Sequence, residues 1–460
     1  MAGMSVAQGL LHCGHTNFKI LEATERPGGR IHSALMDNRA VIEFGAQWIK
    51  GASMANSVFC LACQSGARLD PEECVRRPAD VTRLVCFTSE GRQVEANVAA
   101  KAYQMWERLE RQARFLFATR VGRGQGTLWN YLVERADSEL SYVPDDCRGD
   151  VSRVIYGCLN AMRCRWGADL RNMSATHYGS HRSLPGHQVM LPTGMINVLS
   201  PLFEKIPKEN IVFGKAVENI TWGGAGVAVK THDGQEYCCD QVVVTFSLGV
   251  LKERAGTLFC PQLPECKTDA VRRLGWGHIG KVFLDYDRPF WPPRDYPIRF
   301  CWSKDELSEQ DCSWARSVAV MEQQPGSPST LVGVVGGAGA LAMELCTEDQ
   351  VAETMTLQLR KFTGDDGIPY PTNLARTKWG QDPYFLGANS YLALGSSDDD
   401  QRELASPVAG SSGPRDYKIL FAGEATVPTH FGTLHGARIS GMREAERILK
   451  MAYEKTMEAS

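Results

Sequence analysis

The stretch Phe421-Ala422-Gly423-Glu424-Ala425-Thr426, followed by His435-Gly436-Ala437 and Ser440-Gly441, decides how this chain is read. Ile419-Leu420-Phe421-Ala422 is a short apolar run that predicts a strand, and residues from Gly436 to Met451 predict a closing helix. The segment has a counterpart near the other end of the chain. There Phe18-Lys19-Ile20-Leu21 reads as a strand and Glu22 stands at its carboxyl end. An acid at the end of the second strand of a dinucleotide fold can hydrogen-bond a ribose diol. Gly28, Gly29 and Arg30 follow, where backbone without side chains allows close approach and a guanidinium can meet a cofactor's oxygens. Glu43-Phe44-Gly45-Ala46-Gln47-Trp48 comes next. An acidic strand end and a glycine turn are ordinary features taken singly. Two distant segments in this order and spacing argue together.

With these residues on the page, the chain resembles the flavin-dependent amine oxidases, and within them the polyamine oxidase branch. The resemblance runs over nearly the whole chain. It implies an α/β fold: a Rossmann-like FAD-binding domain interleaved with an α+β substrate domain. The expected pieces are residues 1–55, 186–255 and 409–460 for FAD, and 56–185 and 256–408 for substrate. The alternation of α and β signals agrees with that layout. Asp233-Gly234 between Val227–Lys230 and Gln235–Cys239 predicts a hairpin, and Gln241–Phe246 predicts a buried parallel-type strand.

A dinucleotide fingerprint G-x-G-x-x-G follows a first strand and opens a helix. Met1 to Leu11 reads as that helix, and counting back from Glu22 makes Gly3 the third glycine. The expectation is that the chain begins inside the motif, with the first strand and two glycines lying before Met1. A fold of this kind without its middle strand leaves a second reading open: a binding protein that has lost its cofactor grip.

Composition bounds the rest. The 460 residues, 43% hydrophobic and 22% charged, suffice for two domains with large cores. A net charge of −3 gives no pull toward nucleic acid or an anionic membrane. No run of about 18 apolar residues offers a membrane span. The fifteen cysteines are scattered and odd in number, and with no metal-ligand spacing beyond Cys60 and Cys63 they read as free thiols of a cytoplasmic protein. No metal and no obligate protein partner are expected.

The resemblance assigns roles. Hydride passes from a carbon beside nitrogen to the flavin, and O2 then yields H2O2; the imine hydrolyses to an aldehyde and a shorter amine. Lys281, opening Lys281–Trp291, is the candidate catalytic residue, matching a family lysine that holds a water against flavin N5. Cofactor contacts are expected from Gly3, Glu22, Gly29, Arg30, Gly45, Ala46, Trp48, Val217, Trp379, Gly423, Glu424 and Thr433. Lys50, Asp169, Tyr384, Tyr391 and Phe431 are expected around the amine, where flat rings can clasp methylenes and attract ammonium groups. Two departures bear on substrate. The family's W-I-H-G stretch is here Trp48-Ile49-Lys50-Gly51. A helix end that carries acid in the family reads Arg163-Cys164-Arg165-Trp166-Gly167-Ala168-Asp169. Cations at these places would repel a polyammonium ion, so a less charged, acetylated or aromatic amine is expected.

Overall fold

A computed structural model describes the chain except residues 68, 70–74, 77–84, 120–123, 125, 292–296, 309–312, 412, 414 and 459–460, and the side chains of 75, 76, 308 and 458. The predicted opening helix is Ala2–His12, and the closing helix spans Leu434–Glu458. They pack against each other through small residues. A Cβ on Gly9 would stand 2.5 Å from the Cβ of Ala445, and one on Gly441 would stand 2.3 Å from the carbonyl oxygen of Ala2. Val6 and Leu10 bury with Ala445 beside Val243, Ile448 and Leu449.

Among the described residues, the parallel pairs that carry the motifs lie in separate short sheets, not in one continuous doubly wound sheet. Ile20–Leu21 pairs with Ile211–Val212, and Val242–Val244 pairs with Ile419–Phe421. Among the described residues, Ile20–Leu21 and Val242–Val244 each have one strand partner. The Asp233-Gly234 hairpin forms, with Val227–Thr231 antiparallel to Glu236–Cys239 and Gly234 at φ +83°. Phe259–Cys260 joins the same sheet through Val217–Thr221, so that sheet extends past residue 255.

A six-stranded sheet forms the other large unit, in the order Asn373–Arg376, Ile279–Asp285, Thr330–Gly336, Val318–Gln323, Ile298–Cys301, Val85–Thr88. It draws on both segments expected to bind substrate. Ile279–Asp285 is central and buried on both faces after its first residue, as its run of apolar residues requires. The helices Ala96–Thr119 and Asp145–Trp166 pack beside it, and the second ends at Gly167, left-handed at φ +67°. A Cβ there would meet the backbone of His278 at 2.8 Å, so the helix stops where the central strand approaches.

The tight contact of the first and last helices yields a test. Gly441→Val is expected to overpack that seam and cost about 1–3 kcal/mol. Denaturant unfolding would read the loss, and retained flavin should fall with it, because the start of the first helix lines the cavity described next.

Candidate active site

One cavity of about 520 Å³ runs from the first helix to the central strand of the large sheet. At one end Gly3, Glu22, Gly29 and Val217 line it. Glu22 follows the strand Ile20–Leu21, and its carboxylate accepts from the backbone N–H and the hydroxyl of Thr24 at 2.9 and 2.8 Å. Gly28 and Gly29 have φ of +104° and +60°, and a Cβ on Gly28 would stand 2.7 Å from the carbonyl oxygen of Ile31. The turn therefore needs glycine.

Arg30 and Glu424 lie in the middle. Their side chains meet at 3.0 Å, with Glu424 almost fully buried. The Glu424 carboxylate also accepts from the hydroxyl of Ser390 at 2.6 Å and from the backbone N–H groups of Ser390 and Gly432 at 3.2 and 2.6 Å. Arg30 donates in addition to the carbonyl of Ala388 at 2.5 Å and lies over the Trp276 ring at 5.1 Å. Glu424 is thus saturated by protein groups and sets the backbone around it. Thr433 caps the closing helix: its hydroxyl donates to the carbonyl of His430 at 2.5 Å and accepts from the N–H of Gly436 at 3.0 Å. That helix start, with Leu434 and His435, opens on the cavity.

Lys281 lines the far end with Ile279, two residues earlier on the same face of the strand. Its ammonium donates to the carbonyl oxygens of Glu43 and Gly45 at 2.6 and 2.8 Å and lies 3.5 Å from Oε1 of Gln47. Burial lowers its pKa to about 8, against the pull of Glu43 and Glu322. The lysine therefore clamps residues 43–47 onto the large sheet, and Gly45 and Ala46 of that segment, with Trp48 just after it, line the same space. Trp379 is fixed by its indole N–H, which donates to the carbonyl of Phe44 at 3.0 Å, and by Phe385 edge-on at 5.0 Å. Glu344 holds the next turn by accepting from the N–H groups of Gly380 and Gln381 at 2.9 and 3.0 Å.

Lys50, Arg165, Trp166, His181 and Phe431 close another side. The rings of Trp166 and Phe431 lie 5.7 Å apart, and His181 stands edge-on to both at 5.5 and 5.2 Å. Burial, with Lys50 and Arg165 nearby, drives His181 down to about 2, and burial with His430 and Lys50 drives His435 down to about 4. Both imidazoles are neutral near pH 7.

The family model for flavin containing amine oxidoreductase matches residues 1–449. The chain belongs to this family. It is 32% identical to the human (Homo sapiens) peroxisomal N(1)-acetyl-spermine/spermidine oxidase, over 98% of this chain and 93% of that protein. It is 26% identical to the probable polyamine oxidase 5 of Arabidopsis thaliana, over 98% and 96%. Its fold is similar to that of a putrescine oxidase solved with putrescine bound, at a TM-score of 0.72 and 17% identity, covering 98% and 97% of the two chains.

The amine oxidoreductase is thus an FAD enzyme, and the cavity suits FAD. An acid for a ribose diol, a glycine turn and two helix starts line one continuous space, and the buried Nε2 atoms of Gln47 and His435, both on the cavity wall, lack hydrogen-bond partners among the described residues. Gly3, Glu22, Gly29, Arg30, Gly45, Ala46, Trp48, Val217, Trp379, Gly423, Glu424 and Thr433 all line it, as do Lys281, Lys50, Tyr384 and Phe431.

Two expected substrate residues do not. Asp169 caps the turn Leu170–Asn172 and pairs with Arg171 at 3.2 Å, outside the cavity lining. Tyr391 is a core residue whose ring covers Gly275, where a Cβ would stand 2.4 Å from it. Of the two arginines, Arg165 lines the cavity, whereas Arg163 donates to Oδ1 of Asn160 and the carbonyl of Arg316 at 2.5 and 3.1 Å. Trp166, His181, Glu322, Gln47 and His435 line the cavity without having been given a role in the sequence. Of these, Gln47 and His435 stood inside the quoted motif stretches and Trp166 beside Arg165 on a helix end, whereas His181 and Glu322 carried no signal.

Glu22→Ala is expected to weaken FAD by about 1–3 kcal/mol, the scale of lost hydrogen bonds to a buried polar group. Titrating flavin-stripped protein with FAD and following fluorescence quenching would measure it; unchanged affinity would separate Glu22 from the ribose.

Proposed function

We propose that this amine oxidoreductase acts on a secondary amine of the polyamine class, and favours acetylated or otherwise less charged forms over free spermine. The observation that carries the reading is the single cavity that joins the FAD motifs to the buried Lys281, the aromatic rings, and the cations Lys50 and Arg165. The acetylpolyamine oxidase named above supports the substrate class.

Bound FAD supplies the redox chemistry, taking a hydride from the carbon beside nitrogen and passing the electrons to O2 as H2O2. The protein's part is binding, orientation and proton control. Trp379, Tyr384 and Phe431 offer faces and edges to methylenes. The saturated Arg30–Glu424 network holds the segments that carry the cofactor contacts in register. Lys281 is charged below pH 8 and neutral above it. In the neutral form its nitrogen keeps N–H groups for the carbonyls of Glu43 and Gly45 and gains a lone pair that can accept a proton through a water. Water then completes the reaction by hydrolysing the released imine. We also place the enzyme in the cytosol, a reading supported by the free thiols of the described cysteines; fractionation of the tagged protein into peroxisomes would overturn it.

Lys281→Met is expected to slow flavin reduction or reoxidation by about 10²-fold, the scale of a positioned proton-transfer group. The wild-type rate at saturating substrate should rise through an apparent pKa near 8, and that limb should vanish in Lys281→Met and also in Lys281→Arg, whose guanidinium stays charged across the range. Stopped-flow absorbance across pH 6.5–9.5 decides this; a limb that survives in Lys281→Met assigns it to another group.

Lys50 and Arg165 set the expected substrate order. Like charges about 4 Å apart at an effective dielectric near 20 repel by roughly 4 kcal/mol, and a third of that is a tenfold loss of affinity. Peroxide release should be weak with spermine and stronger with its mono-acetyl forms. Free spermine emerging as the best substrate would refute the charge argument.

A further inference from the structure

Resting on FAD and an amine meeting in this cavity, we propose that Glu344 is a positioning residue: from outside the cavity lining it fixes where Trp379 stands relative to Lys281. Glu344 lies in the last turn of the helix Ala338–Leu345 and is 3% exposed. Each of its carboxylate oxygens accepts one backbone N–H, from Gly380 at 2.9 Å and from Gln381 at 3.0 Å. The fork therefore holds two successive peptide groups directly after Trp379. A Cβ on Gly380 would stand 2.4 Å from Cδ2 of Leu341 and 3.0 Å from Oε2 of Glu344, so the turn lies flat on the helix.

The acid does not serve its own helix. A carboxylate in the last turn opposes the helix dipole. Burial raises its pKa, against the two N–H groups and the nearby Arg376 and Lys378. The helix end is satisfied instead by Arg376, whose guanidinium donates to the carbonyl of Met343 at 2.5 Å and to that of Cys346. A buried acid placed at such cost finds its return in the turn that it holds.

The contacts close a ring around the site. Met343, next to Glu344, packs on the strand of Lys281: a Cβ on Gly280 would stand 2.6 Å from its Cε. Thr377 exchanges two bonds with Lys281, its hydroxyl accepting from the lysine N–H at 2.9 Å and its own N–H donating to the lysine carbonyl at 3.1 Å. The carbonyl of Trp379 accepts from the N–H of Gly387 at 2.8 Å. Its indole reaches the carbonyl of Phe44, within the segment that the Lys281 ammonium clamps. Thr377 thus fixes the chain before Trp379, and Glu344 fixes it after. The ring is held from both sides, and orientation of that kind is what a protein contributes to cofactor chemistry. Glutamine at position 344 would keep one acceptor and turn an NH2 toward the other N–H, undoing half of the fork.

The test is a double-mutant cycle on the whole chain, with Glu344→Gln, Trp379→Leu and the pair. Three quantities are measured: FAD affinity of flavin-stripped protein by fluorescence quenching, the rate of flavin reduction by N1-acetylspermine in stopped flow, and the denaturant midpoint. Glu344→Gln should weaken FAD about fivefold, the scale of one lost hydrogen bond, and slow reduction about tenfold, the scale of a misplaced group. In the Trp379→Leu background the same change should alter neither, while the denaturant midpoint should fall in both backgrounds. Equal losses of flavin affinity and reduction in both backgrounds would show that Glu344 does not act through Trp379. Wild-type flavin affinity and reduction in Glu344→Gln, or insoluble protein in both backgrounds, would equally overturn the proposal. The flavin titration needs no amine. If wild-type protein binds FAD and no amine reduces it, the amine reading falls, and the affinity cycle still decides Glu344.

Discussion

The contact on which the site depends is the buried pair of Arg30 and Glu424. One carboxylate receives a guanidinium from the start of the chain, the hydroxyl and N–H of Ser390, and the N–H of Gly432. Residues nearly 400 apart in sequence thereby share one set of oxygens. An ion pair so placed is expensive to desolvate, and removing one partner strands the other. Its return is specificity: the glycine turn at Gly28-Gly29, the segment 388–390 and the turn before the closing helix hold one mutual position. A flexible cofactor wall would have to order on binding and lose affinity in doing so.

Lys281 performs the same service at the other end with opposite charge. Its ammonium is spent on backbone carbonyls of Glu43 and Gly45, so the lysine is a clamp on the cavity wall as well as a candidate proton carrier. The two roles are compatible because burial brings its pKa to about 8, close enough to neutrality for the proton to leave while N–H groups remain for the carbonyls. Lysine suits this better than arginine, whose guanidinium stays charged.

What was legible in the sequence followed from local rules. Gly28, Gly29 and Gly234 lie at positive φ as their turns demand, and the apolar runs before Glu22 and Gly423 became strands. Failures arose where a residue's face, not its type, decides. Arg163 and Arg165 sit two apart on one helix, about 200° around the axis, so both cannot face one cavity. Arg163 packs on Asn160 and the backbone of Arg316, and only Arg165 looks inward. Tyr391 pairs with Gly275 in an antiparallel ladder, and that small neighbour admits its ring to the core. Asp169 lies just beyond a left-handed glycine that turns the chain away from the helix axis. His181 and Glu322 reach the cavity only through tertiary packing, and no spacing in the chain announces them.

The charge of the cavity follows from that geometry. With one arginine inward, the cavity is divided. Glu322 and the titratable Lys281 line one part of it, and Lys50 with Arg165 lines another. A rigid wall that holds these side chains in place orients a ligand before any chemistry occurs, and orientation is the larger part of what a protein adds to a reaction whose electrons move through a cofactor.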